Sequence, residues 1–305
     1  MPRKKRPLLR FILRSLLCII LLLTFTAGIG WWYFHPATEE TVNVIYGQRN
    51  GVDLNYQIVR PANNPNGASV LIMVSGSWKS GPDKFREWLS APLIRRGYTV
   101  FAVSHLSQPK CLIGEISDDI QKAVRHIRHH AEDYEIDPQR FGVTGGSSGG
   151  HLSLMLATRG APGPPGAEDP VDHESSAIQS AAVFFPVTDL LNLGDSTQNP
   201  GDGGPPISYV KGFGPGADNL EIWKPIGRDL SPIFHISEDL PPVYIIHGDA
   251  DTLVPLDQST RFRDAALEKG KTVELSIRPG KGHGWPTMIF EIGNFADWFD
   301  RTLLK

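Results

Sequence analysis

Between Gly145 and Gly150 the chain reads Gly-Gly-Ser-Ser-Gly-Gly, after the apolar, β-branched run Phe141–Thr144 and before His151-Leu152-Ser153-Leu154-Met155-Leu156-Ala157. This is G-x-S-x-G placed between a strand and a helix. On such a turn a serine lifts its hydroxyl above the sheet, and glycines two residues to either side let the helix start close against the strand. The helix also aims the positive end of its dipole at any negative charge that develops there. The spacing fits Ser147, between Gly145 and Gly149, and equally Ser148, between Gly146 and Gly150, and by itself leaves the two tied. Neither G-x-G-x-x-G nor a Gly-Lys-Ser/Thr ending occurs at this turn, so it is not a dinucleotide or P-loop phosphate site.

A serine hydroxyl is a weak nucleophile at neutral pH and needs an imidazole base oriented by a carboxylate. Downstream the chain offers both, acid before base: Asp249 and Asp251 in HGDADTLVP, and His283 in the Gly-rich loop GKGHGW. Other histidines fit less well. His126 and His130 have the i, i+4 spacing of a metal pair, but the Glu of H-E-x-x-H is absent, and with His129 they sit on a charged stretch expected to face solvent. His35, His105, His173 and His235 have no partner pattern, and no metal or cofactor is implied.

The elements that would hold these residues alternate. Val42–Tyr46 and Leu54–Val59 read as strands around Asn50-Gly51, a hairpin signal. Then come strand Val70–Val74, helix Lys84–Arg96, strand Thr99–Val103, helix Ile116–Tyr134, strand Phe141–Thr144 and helix Gly149–Arg159. The second half continues with strands Ala181–Phe185 and Val243–His247, helix Leu256–Lys269, strand Val273–Ile277 and a terminal helix Pro286–Leu304. Such alternation predicts an α/β fold, a mostly parallel central sheet flanked by helices. Two loop-rich inserts interrupt it, at about 161–172 and 186–241; the second is too long for an ordinary connection, and both are candidates for a lid or substrate wall.

Gly145–Leu152 resembles the Gly-x-Ser-Ala-Gly-Gly-His/Asn-Leu block of α/β-hydrolase esterases, with Ser148 in place of the Ala. That register implies Ser147 as nucleophile and the N–H of Ser148 as one oxyanion donor. His247–Pro255 resembles the His-Gly-x-x-Asp-x-x-Val-Pro block of esterases and prolyl-oligopeptidase-type enzymes, which implies Asp251 as the acid and leaves Asp249 as a turn cap. Gly282-His283-Gly284 resembles the block that carries the base, while His151 and His247 accompany the family motifs as structural residues. Many such esterases have His-Gly-Gly-Gly-Trp after the equivalent of Val70–Val74. Here the loop reads Ser75-Gly76-Ser77-Trp78: the Trp agrees, the His and two glycines do not, and the second oxyanion donor is Gly76 or Ser77.

The resemblance, from about residue 54 onward, implies an α/β-hydrolase fold. It also implies a feruloyl-esterase- or carboxylesterase-like serine hydrolase that acts on a small-molecule ester through an acyl-enzyme. A prolyl-oligopeptidase-like peptidase would use the same three residues but usually carries a propeller domain for which this chain is too short. A non-catalytic binding module on the same scaffold is the other alternative, and the altered loop at Ser75–Trp78 is the feature in its favour.

The N-terminus points to a membrane. Met1–Arg14 carries six positive charges (Arg3, Lys4, Lys5, Arg6, Arg10, Arg14) and no acid, and residues 15–34 carry no charge. Spanning a bilayer takes roughly 20 residues, more than the roughly 7 to 15 of a cleaved signal's apolar region. The expectation is a signal anchor or transmembrane helix over 15–34 with Trp31-Trp32-Tyr33 as an interfacial belt. Residues 1–14 would then be cytoplasmic, and an α/β-hydrolase domain over 35–305 would be periplasmic or extracellular. Small residues at Thr26, Ala27, Gly28 and Gly30 leave cleavage and secretion as the alternative. Of the net charge of −3, six positives lie in residues 1–14, which leaves −9 for the rest. An acidic domain without a basic stripe is not a nucleic-acid binder. Cys18 and Cys111 cannot build a disulfide framework.

Overall fold

Eight strands form one sheet in the computed structural model, which describes residues 6–305. β1 (Val42–Arg49) and β2 (Val52–Val59) make the expected hairpin. Asn50 and Gly51 at its tip are both left-handed, with φ of 54° and 73°, the turn geometry that matches the twist of paired strands. β3 (Ser69–Met73), β4 (Thr99–Val103), β5 (Phe141–Gly146), β6 (Ser180–Phe184), β7 (Val243–Gly248) and β8 (Val273–Arg278) follow, each within two residues of the sequence expectation. The order across the sheet is β1-β2-β4-β3-β5-β6-β7-β8, antiparallel at the β1–β2 and β2–β4 pairs and parallel elsewhere. The chain's progress across the sheet reverses between β3 and β5. The crevice beyond the carboxyl ends of strands at such a switch point is where ligands bind in open α/β sheets.

Both faces are covered. On one lie α3 (Ile113–His129), α4 (Ser148–Arg159) and α6 (Asp257–Glu268); α3 buries Ile113, Ile116, Ile120, Ala123, Val124 and Ile127, the stripe of a helix with one apolar side. On the other lie α2 (Ala91–Ile94) and α7 (Ile292–Leu303), the latter burying Phe295, Trp298, Phe299 and Leu303 against Val70, Val100, Ala182 and Tyr244.

Some expectations change. In place of a helix over Lys84–Arg96 there are two 3-10 turns, Pro82–Lys84 and Glu87–Ser90, and only the short α2. Pro92 is the reason: it lacks an N–H and its ring would collide with the carbonyl one turn earlier, so it is tolerated only in a first turn. The terminal helix likewise divides into a 3-10 segment, Pro286–Glu291, and α7. His126, expected to face solvent, is half-buried with Nδ1 2.9 Å from the Tyr56 hydroxyl.

The insert at 161–172 joins the end of α4 to the start of β6, on the amino-terminal edge of the parallel strands, away from the switch-point crevice. The residues after it dock on α3, where the Arg125 and Arg128 guanidiniums donate to the Glu174, Ser175 and Ala177 carbonyls. It is scaffold rather than a substrate wall. The insert at 186–241 leaves the carboxyl end of β6 and contains α5 (Leu220–Asp229), anchored by the fully buried Trp223.

An apolar helix, α1 (Arg6–Phe34), precedes the sheet, starting earlier than residue 15 and taking in Arg10 and Arg14; Arg3, Lys4 and Lys5 of the basic segment lie outside the described residues. None of its apolar window within Leu9–Phe34 is buried. Its last turn meets the domain, where the Arg95 guanidinium caps the Trp32 and Tyr33 carbonyls, the latter at 2.8 Å, and Phe34 meets Trp88 edge-on at 5.7 Å.

Two of the three buried histidines are neutral rings: His105 after β4, 6% exposed, and His151 on α4, 0% exposed. Burial pushes each down to about 4. The unfolded chain takes up these protons near pH 6.5, the folded chain only near 4, so between the two values the unfolded state binds more protons and stability falls as pH falls. Urea unfolding at pH 7 and pH 5 should show a loss of roughly 2 to 4 kcal/mol from this pair, and His151→Gln should reduce the slope. An unchanged midpoint across that window would contradict the neutral assignment.

Candidate active site

Ser147 stands at the carboxyl end of β5 as the N-cap of α4, with φ 56° and ψ −122°, a conformation that a non-glycine residue holds only under constraint. The constraint is the absence of side chains on either side. A Cβ on Gly145 would lie 2.5 Å from the Gly149 carbonyl, and a Cβ on Gly149 would lie 2.7 Å from the Met73 carbonyl oxygen, so β5, α4 and β3 approach to backbone contact only with glycine at both places. At Gly146 a Cβ would find nothing nearer than 3.4 Å. At Gly150 it would lie 3.0 Å from the Phe184 carbonyl oxygen, so the severest crowding falls on the pair that flanks Ser147. The hydroxyls point apart: Ser147 Oγ lies 2.9 Å from His283 Nε2, and Ser148 Oγ lies 3.1 Å from Ser75 Oγ.

His283 comes from the loop after β8 and Asp251 from the loop after β7, with His283 Nδ1 2.7 Å from Asp251 Oδ2. The Asp251 side chain is fully buried, and its Oδ1 accepts the N–H groups of Leu253 and Val254 at 3.0 and 2.9 Å. Burial alone would raise this carboxyl, but hydrogen bonds from His247, His283 and the Val254 N–H outweigh it and hold the group well below the usual carboxylate range. An ionised Asp251 makes Nδ1 of His283 the protonated nitrogen and leaves Nε2 as acceptor for the Ser147 hydroxyl. The His283 ring packs on Phe185, 4.5 Å between centroids.

His247 supports Asp251 from beneath. Its Nε2 lies 2.8 Å from the Val254 carbonyl and 3.5 Å from Asp251 Oδ2, and its Nδ1 lies 2.7 Å from Ser259 Oγ. Asp249, the rival acid, caps the turn at Gly280, whose N–H its Oδ1 accepts at 2.6 Å. His151 is likewise structural, with Nδ1 accepting from the Trp78 indole at 3.1 Å and Nε2 facing the Leu230 carbonyl at 2.7 Å.

The loop after β3 folds across the start of α4. Ser77 and Trp78 there have φ of 55° and 52°, left-handed backbone without glycine. Gly76 N–H donates to the Lys79 carbonyl at 3.1 Å and is therefore occupied, whereas the N–H groups of Ser77 and Ser148 find no acceptor among the described residues. Of the two candidates for the second donor, Ser77 is the one left free.

Beside Ser147 a cavity of about 40 Å³ is lined by Trp78, Leu193, Pro206, Tyr209 and Leu253, so the 186–241 insert supplies one wall. Trp78 belongs to that wall; Phe213 stands behind it, edge-on to Trp78 at 5.9 Å, and Trp223 meets Phe213 edge-on at 4.8 Å. Tyr209 also lines the site, and Ser75 and His105 connect to it through Ser148; no spacing signal marks them, because their partners lie far away in sequence. Among the described residues no group of three or more His, Cys, Asp or Glu side chains could hold a metal ion.

Known proteins resemble this chain over most of its length. Esterase LipQ of Mycobacterium tuberculosis is 26% identical over 224 residues, covering 72% of this chain and 50% of that protein. The isoprenylcysteine alpha-carbonyl methylesterase ICME of Arabidopsis thaliana is 24% identical over 249 residues, covering 79% and 56%. The chain thus spans about half the length of the curated relatives it matches. The esterase Est2 of Thermogutta terrifontis superposes with a TM-score of 0.67 at 24% identity, over 85% of this chain and 91% of that one, and shares the α/β-hydrolase fold. The BD-FAE family model matches residues 56–266, from within β2 to within α6, a stretch that holds Ser147 and Asp251. With that match over two thirds of its length, the chain belongs to the BD-FAE family.

Proposed function

We propose that the protein is a membrane-anchored serine hydrolase that cleaves carboxylic esters through an acyl-enzyme. The observation that carries this reading is the hydrogen-bonded line from buried Asp251 through His283 to Ser147, at 2.7 and 2.9 Å. Ser147 Oγ attacks the ester carbonyl while His283 Nε2 takes its proton; Asp251 keeps Nδ1 protonated and stabilises the imidazolium that forms. The N–H groups of Ser77 and Ser148 receive the oxyanion, each donor contributing about 3 to 4 kcal/mol to the transition state in comparable sites. His283 then returns the proton to the leaving alcohol, and water, activated by the same imidazole, releases the acid. The esterase names of LipQ and ICME agree with this chemistry.

The test is hydrolysis of p-nitrophenyl acetate by the full chain in detergent. Ser147→Ala should lower kcat by roughly 10⁴-fold or more, and Ser148→Ala far less. Loss in Ser148→Ala alone, or no turnover by folded wild type, would overturn the assignment.

The recess beside Ser147 is walled by bulky side chains, Trp78, Leu193, Pro206, Tyr209 and Leu253, which favours a short acyl chain. Acetate should exceed octanoate by about tenfold or more in kcat/KM, and Leu193→Ala should narrow the gap; a preference for octanoate would show that the acyl chain lies elsewhere.

The exposed, apolar α1 supports a membrane anchor over about 15–34, with residues 1–14 cytoplasmic and the domain over 35–305 on the far side. The full chain should stay in the membrane pellet after alkaline carbonate extraction. Release to the supernatant would sink the anchor and leave a cleaved signal.

A further inference from the structure

One buried histidine, His105, is linked through Ser75 to the start of α4 and takes no part in that reaction. Both ring nitrogens of His105 are engaged, Nδ1 at 2.7 Å from the Leu106 carbonyl oxygen and Nε2 at 2.9 Å from Ser75 Oγ. A carbonyl only accepts, so Nδ1 carries the proton, and in a neutral ring Nε2 is then a bare acceptor. That polarity propagates. Ser75 gives its hydroxyl hydrogen to Nε2, and Ser148, whose Oγ lies 3.1 Å from Ser75 Oγ, gives its own to Ser75. The pair Ser75 and His105 has the spacing of a nucleophile and its base, yet Nδ1 faces a carbonyl where His283 faces the Asp251 carboxylate. A buried ring without that carboxylate is a poor base at neutral pH.

The loop that Ser75 opens needs support. Ser77 and Trp78 hold left-handed backbone with side chains that disfavour it, and Ser77 stands where the esterase block that this loop resembles has glycine. The segment after β4 braces it from outside: Ser107 Oγ accepts the Ser80 N–H at 3.0 Å, Gln108 N–H donates to the Trp78 carbonyl at 3.0 Å, and Gln108 Nε2 donates to the Ser77 carbonyl at 3.3 Å. Of these braces, the chain from His105 is the one that continues across the loop to the first residue of α4.

We propose that His105, acting through Ser75, is a positioning residue for the oxyanion pocket. It ties the loop carrying the Ser77 N–H to the helix start carrying the Ser148 N–H, and so sets the separation of the two donors. This rests on the reading of Ser147 as nucleophile.

The experiment uses the full chain in detergent, with His105→Ala, Ser75→Ala, the double variant and His105→Gln, each first checked for a cooperative thermal transition. Oxyanion contacts mature in the transition state, so kcat for p-nitrophenyl acetate should fall roughly 10- to 100-fold while KM stays within about twofold. The double variant should lose little more than either single one, because one chain of bonds has been cut. His105→Gln, which returns an acceptor oxygen near the position of Nε2, should recover most of the rate. Unchanged kcat in folded His105→Ala, a rise in KM alone, or independent losses that multiply in the double variant would overturn the proposal. Labelling of Ser147 by a fluorophosphonate separates this inference from the esterase reading. If wild type labels but does not turn over esters, the esterase reading falls, and slower labelling of His105→Ala still supports the brace. If wild type neither labels nor turns over, both fall.

Discussion

A serine held at φ 56° on the end of β5 is the constraint on which the rest of the site depends. An L-residue leaves that region readily unless its neighbours prevent it, and here they do so by backbone crowding, with Gly145 against Gly149 and Gly149 against the Met73 carbonyl. Three elements that would otherwise stand a side chain apart come together at the point where the sheet order reverses. In return the hydroxyl stands clear of the sheet, at the positive end of α4 and in reach of loops from both halves of the sheet.

Each group that converges on Ser147 is itself held from behind. Asp251 is fixed by two backbone N–H groups and by His247, which in turn is held by Ser259 and the Val254 carbonyl. His283 is fixed by Asp251 on one nitrogen and by the Phe185 ring on one face. The buried charge of Asp251 is tolerable because donors surround it; a carboxylate at this depth without them would take up a proton and cease to orient the imidazole. The loop after β3 is held in the same manner, by hydrogen bonds from the segment after β4.

The strands were legible in the sequence because a sheet covered on both faces requires continuous apolar, β-branched runs, and Thr99–Val103 appears in the fold with those same bounds. The broken stretch from Pro82 to Ile94 was less legible. Its apolar residues have helical spacing, and Pro92 outweighs them. The two inserts looked alike in composition, both dense in Pro and Gly, but they leave the sheet at opposite ends of its strands. Only the one after the carboxyl end of β6 can reach Ser147.

By itself the sequence determined the strand–turn–helix around Ser147, the short blocks around Asp251 and His283, and the apolar N-terminal helix, because each is written in residues adjacent along the chain. It left Ser147 and Ser148 tied on spacing, and it left Gly76 and Ser77 tied as donor candidates. In the tertiary structure the members of each pair have different hydrogen-bond partners. One serine faces His283, 136 positions away, and the other faces Ser75, 73 positions away; the Gly76 N–H is consumed by a turn that leaves the Ser77 N–H free. Hydrogen-bond partners far apart in the chain carry no mark of one another in residue type or spacing. They meet only because the sheet brings the ends of β3, β4, β5, β7 and β8 to one edge.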